Sequence, residues 1–97
     1  MPDAVDVNLD IGEMVLKIDH SVVDQKIEYT KIDRLAFFKE PVKKLFRVVI
    51  IRTIEVHVKG KEEPYMISSA KISDFDQVEY YLRQMAEKYK ISIDDIK

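Results

Sequence analysis

Between Asp74 and Lys90 the sequence DFDQVEYYLRQMAEKYK places Phe75, Val78, Leu82, Met85 and Tyr89 at intervals of three, four, three and four. That spacing puts all five on one narrow stripe of an α-helix. Everything before it reads as strands, so the chain must supply one open apolar sheet face on which to bury a single helical stripe. A helix over 74–90 that closes a sheet or barrel is therefore the expectation around which the other elements are placed.

From the N-terminus, Val5, Val7, Leu9 and Ile11 alternate with Asp6, Asn8 and Asp10, and Met14, Leu16 and Ile18 alternate again after Gly12. This predicts a hairpin turning at Asp10–Glu13. Asp19-His20-Ser21 reads as a turn, Val22–Tyr29 as a strand, and Ile32–Phe38 as another that ends at Lys39-Glu40-Pro41. In Leu45–Val58 the residues Phe46, Val48, Ile50, Ile54, Val56 and Val58 share one parity, which Arg52 breaks. Fourteen residues is long for a strand, so a bulge near Arg52 and Thr53, or a division into two strands, is expected. Lys59–Glu63 is a polar turn, and Pro64–Ala70 a further strand with an edge that a partner strand could join.

The helix start offers two capping boxes, Ser73 with Asp76 or Asp74 with Gln77, and the two aspartates read as a cap rather than a metal site. Glu79 and Arg83 form an i, i+4 pair. The tail 91–97 reads as a short helical turn packing Ile93 and Ile96 on the domain. The 97 residues make one domain over 1–97, with strands over about 5–70.

With 46% hydrophobic and 35% charged residues the chain is neither disordered nor built to span a membrane, and its acidic N-terminus does not resemble a signal peptide. A cytoplasmic location is expected. The Ile, Lys and Glu content resembles that of proteins from hot environments. With no cysteine and two histidines, zinc sites built on sulfur and thiol catalysis are excluded, and no metal or cofactor site can be assembled. His20 and His57 read as surface residues. No nucleophile elbow, zinc-protease helix or phosphate loop is present, and the chain is read as non-enzymatic.

The order of elements, together with Ile27-Glu28-Tyr29-Thr30-Lys31-Ile32-Asp33-Arg34-Leu35, the Val48–Val58 strand, Lys61–Ile67 and Ile72–Asp76 leading into the helix, resembles the prokaryotic pleckstrin-homology-like domains. The resemblance implies a mainly β fold, α+β by content: a partly open barrel of about seven antiparallel strands closed by one C-terminal amphipathic helix. It also implies binding of lipids, peptides or partner proteins, with self-association in several members. The basic pocket of lipid-binding members lies between the first two strands; here that turn, Asp10-Ile11-Gly12-Glu13, is acidic, which speaks against inositol lipids.

Residues 1–24 carry six acids and one lysine, whereas 39–61 carry seven Lys or Arg and two glutamates. The basic strip Lys39, Lys43, Lys44, Arg47, Arg52, Lys59 and Lys61 is the candidate binding surface, with Lys43 and Lys44 in a loop after Pro41. Phe37 and Phe38 are adjacent, so one must face away from the core; Phe38 beside the strip and Tyr80 off the helical stripe join the candidate set. The expected function is a binding or assembly module for a protein partner or a second copy. Peripheral binding to anionic lipid or another polyanion through 39–61 is the alternative. DNA binding through a helix-turn-helix at 81–96 comes third, because no recognition helix rich in Arg, Asn or Gln follows the turn. Small-molecule substrates rank last.

Overall fold

The computed structural model describes residues 3–96; Met1, Pro2 and Lys97 at the expected domain limits lie outside them. The first hairpin forms where the alternation and Gly12 place it. β1 (Ala4–Leu9) and β2 (Glu13–Ile18) pair antiparallel across a turn in which Gly12 takes a positive φ of 84°, a conformation glycine adopts without steric cost. β3 (Gln25–Glu28) completes a three-stranded sheet in the order β1-β2-β3 and is shorter than the strand expected over 22–29. Asp24 and the exposed Val22 and Val23 stay in the preceding loop.

The second sheet has the order β6-β5-β4-β7. Its strands are β4 (Ile32–Lys44), β5 (Arg47–Val58), β6 (Tyr65–Ser68) and β7 (Ser92–Ile96). Helix α1 (Phe75–Tyr89) lies between β6 and β7 in the chain. Among the described residues the fold is thus α+β and mainly β, seven strands in two sheets with one helix near the C-terminus, and the sheets do not close into a barrel. Among the described residues one isolated bridge, Asp3 to Met66, joins the first sheet to the second, and it partly covers the β6 edge expected to be open.

The helical stripe is buried as its spacing predicts: Phe75, Val78 and Leu82 are in the core, joined by Ala86, with Met85 and Tyr89 packed at its margin. Tyr29, in a single 3-10 turn (Tyr29–Lys31), is fully buried. Its hydroxyl donates to the Asp10 carbonyl at 3.1 Å, and its ring lies 5.7 Å from Tyr89 and 6.3 Å from Tyr81. Burial first, then the neighbouring Tyr81, Tyr89 and Asp10, hold its phenol well above the usual tyrosine range. One side chain therefore ties the first turn of the chain to the helix.

Three expectations are corrected. Asp74 is the N-cap residue but makes no side-chain capping bond, its backbone at φ −102° and ψ 36° lying outside the extended region usual for a capping residue, while Asp76, the partner in the other box, pairs with Arg52. β5 runs without a bulge at Arg52 and Thr53, the one shift in the β4–β5 register lying between Ile32 and Arg34. The tail is a strand, not a helical turn. Lys90 takes a left-handed conformation at the helix end, and the Ile91 N–H bonds back to the Ala86 carbonyl at 2.8 Å, which reverses the chain. Residues Ser92–Ile96 then pair in parallel with Arg34–Phe38 on the otherwise open edge of β4. Asp94 accepts from Arg34 at 2.6 Å and Asp95 from Arg83 at 2.6 Å, so ion pairs to β4 and to α1 hold the strand. The helix-turn-helix reading consequently has no second helix within 91–96. No helix among the described residues is long and apolar enough to cross a membrane.

Candidate functional site

β4 and β5 pair from Ile32–Val58 out to Lys44–Arg47, much further than their neighbours follow them. β7 covers β4 only as far as Phe38, and β6 covers β5 only from Thr53 inward. Lys39–Lys44 and Arg47–Arg52 therefore leave the body as a two-stranded arm roughly 20 Å long, at ~3.3 Å per residue. Lys43 and Lys44 are in this strand and not in a loop.

Leu45 and Phe46 turn the arm. Neither has a positive φ, so the turn is not of the primed types that demand Gly or Asn. The usual hairpin signature is accordingly missing, and the sequence reading puts the chain reversal earlier, in a loop after Pro41, with Leu45 and Phe46 opening the next strand.

Pro41 sits inside β4 without breaking it. Ser69 accepts from the Arg52 N–H at 2.9 Å and donates its own N–H to the Arg52 carbonyl, so the Arg52 backbone faces away from β4. By the alternation of an antiparallel ladder the Ile50–Pro41 pair is oriented likewise, and proline forfeits no ladder bond. Its missing N–H faces the free edge.

Facing pairs place Leu35, Val56, Phe37 and Ile54 on the inner, core-directed side. Beyond the body that same side carries Pro41, Val48 and Ile50, flanked by Lys39 and Lys43, with no other described element over them; Val48 is 57% and Ile50 52% exposed. Val42, Val49, Ile51 and Phe38 line the outer side, half-buried. At the tip Leu45 is 89% and Phe46 95% exposed. No residue between Phe37 and Ile54 belongs to the core cluster.

The seven-residue basic strip does not converge. Lys43, Lys44 and Arg47 ring the tip and Lys39 stands at the root, and none of the four enters an ion pair among the described residues. Arg52 is paired with Asp76 and Glu79. Lys59 and Lys61 lie past the other end of β5, where Lys59 donates to the Thr30 carbonyl and Lys61 stands 4.8 Å from the Tyr65 ring. Tyr80 is exposed on α1, away from the packed stripe. His57 is half-buried rather than at the surface, 2.9 Å from Glu55.

At the arm's root lies a cleft of about 400 Å³, walled by Phe37, Phe38, Phe75 and Ile96 with Arg52 and Arg83 at its side. The sequence marked Phe38 and Arg52 of this set but nothing that joins them, because the wall comes from four separate elements. Arg83 stacks 3.9 Å over the Phe37 ring and binds Asp95 and Glu79; Arg52 lies 4.9 Å over Phe75. The Arg83 hydrogen bond holds the Asp95 carboxyl below its usual range. A lowered carboxylate pKa stabilises the fold above the unfolded value near 3.8 and is lost as pH falls through the folded value. NMR titration of Asp95 is expected to give a depressed midpoint that Arg83→Gln returns toward the ordinary value; an unchanged midpoint in the variant would refute the pairing. Among the described residues no three acidic or histidine side chains cluster as metal ligands.

Comparison with protein-family models, with curated proteins and with solved structures gives no match.

Proposed function

We propose that the chain is a non-catalytic assembly module that associates with a second copy of itself through the β4–β5 arm. The observation that carries this reading is the arm's unfinished packing: two strands with free outer edges, apolar residues on both faces, and no core residue beyond Phe37 and Ile54. A lone two-stranded ribbon is marginal in water, and its open edges are templates for further pairing. Charge favours a like copy as the cover. Residues 39–52 hold five Lys or Arg and one Glu, a balance of +4; the whole chain is −2, so the remainder is −6. Each copy thus offers a basic arm and an acidic body.

For the architecture we read the two sheets and the capping helix as a variant of the pleckstrin-homology-like layout, supported by the six strands that precede α1 and by the burial of its stripe. The seventh strand following the helix is a departure from it. A second reading, docking on an anionic lipid surface, is favoured by the apolar tip and its collar of Lys43, Lys44 and Arg47. It leaves Pro41, Val48 and Ile50 along the stem uncovered, and self-association is preferred for that reason.

Sedimentation velocity tests the proposal. The mass is expected to rise from 11.4 kDa toward twice that value as protein concentration increases, over a range on the order of 10–100 μM for an interface of ordinary size. A constant monomer mass throughout would overturn the proposal, and salt-sensitive sedimentation with anionic vesicles would then favour the lipid reading.

A further inference from the structure

Resting on that reading of the arm, we infer that the tip of each arm seats in the root cleft of the other copy, with Phe46 as the anchor. The exposed apolar tip and the largely apolar cleft lie at opposite ends of one arm. A chain cannot satisfy both alone. Eight residues of paired ribbon separate Phe46 from Phe38, roughly 25 Å at the strand rise, and a ladder in continuous register does not fold back on itself. Two copies related by a two-fold axis satisfy both ends at once. When the arms run antiparallel with their inner sides together, the axis falls near the middle of the arm, at Pro41 and Ile50, and the equal lengths of the two arms bring each tip to the other's cleft. Such an exchange closes as a dimer and leaves no free end to propagate.

The inner side of the arm leads directly into the cleft, since Phe37 and Arg52, both facing inward, form part of its wall. Pro41, Val48 and Ile50 would then be covered by their counterparts, with Lys39 and Lys43 of the same side flanking the axis. A cavity of about 400 Å³ is at the small end of the range for ligand pockets and is large enough for one aromatic side chain with neighbouring contacts. Aromatic residues are the usual anchors of such contacts. Charge does not oppose the placement. At the cleft Asp76, Glu79 and Asp95 balance Lys39, Arg52 and Arg83, three acids to three bases, so the incoming Lys43, Lys44 and Arg47 meet no net positive charge there.

The absence of cysteine makes the geometry directly readable. Leu45→Cys and Ile96→Cys introduce single thiols at exposed positions, one at the tip and one on the cleft wall, and leave Phe46 in place. Mixing the two variants and treating them with a short bis-maleimide should give a 45–96 cross-linked dimer, in clear excess over the 45–45 and 96–96 products of each variant alone. Phe46→Asp, at an exposed position, should weaken the dimer by roughly 30-fold or more without altering thermal unfolding of the monomer. A dimer that forms normally but cross-links 45 to 45, or tolerates Phe46→Asp, would overturn the cleft as acceptor while leaving assembly through the arm intact. Loss of the dimer in the wild-type protein would overturn both.

Discussion

Replacing Tyr29 by alanine is expected to remove about 3–5 kcal/mol of stability, the usual cost of truncating a fully buried aromatic side chain. A domain of this size has on the order of 5–15 kcal/mol in all, so the melting temperature should fall by roughly 15–30 °C. Two losses combine in this substitution. The ring is removed from between the helix residues Tyr81 and Tyr89 and the first sheet, and the Asp10 carbonyl loses its better donor, leaving Tyr81 at 3.4 Å. Tyr29→Phe separates the two terms: it keeps the packing and is expected to cost only about 1 kcal/mol. Urea denaturation followed by circular dichroism reads both variants. A loss below about 1 kcal/mol for the alanine variant would mean that the helix is not held to the first hairpin through this residue.

Removing the arm should have the opposite profile, with association abolished and stability within about 1 kcal/mol of the intact protein, since surface changes that leave the core intact have small effects. The deletion can be made in register. Glu40 and Ile51 face one another, and Ile51 alternates with the outward-facing backbone of Arg52, so this is a hydrogen-bonded pair on which a two-residue turn can close. Replacing Pro41–Ile50 by Asn-Gly supplies the positive φ values that such a turn favours. The core cluster between Phe37 and Ile54 is untouched, as are the ion pairs of Arg52 and Arg83. The shortened chain should sediment as a monomer at every concentration and unfold at nearly the same urea midpoint. Unfolding of this variant would place the arm within the folding unit and overturn its assignment as an appendage. Persistence of the dimer would move the interface elsewhere, with the exposed Val22 and Val23 loop the next surface to test.

Local signals carried the elements whose burial depends on their own period. The three-and-four spacing from Phe75 to Tyr89 specified a helix and its buried side, and the alternation about Gly12 specified the first hairpin, because side-chain direction follows from backbone geometry alone. The parity of β5 was also legible, and Ile54 and Val56 are buried as it implies. What the period cannot encode is whether another element covers the side it selects. Val48 and Ile50 have the same parity as Ile54 and differ only in lying past the ends of β6 and β7, so the arm exists through the lengths of its neighbours. The tail illustrates the same limit. Ile91–Ile96 is too short for its pattern to separate strand from helix, and it became a parallel strand because the reversal at Lys90 delivers it to an open β4 edge where Arg34 and Arg83 meet its two aspartates. Side-chain pattern set the faces of the elements in this protein; contacts between residues tens of positions apart decided which of those faces are covered and which are left open.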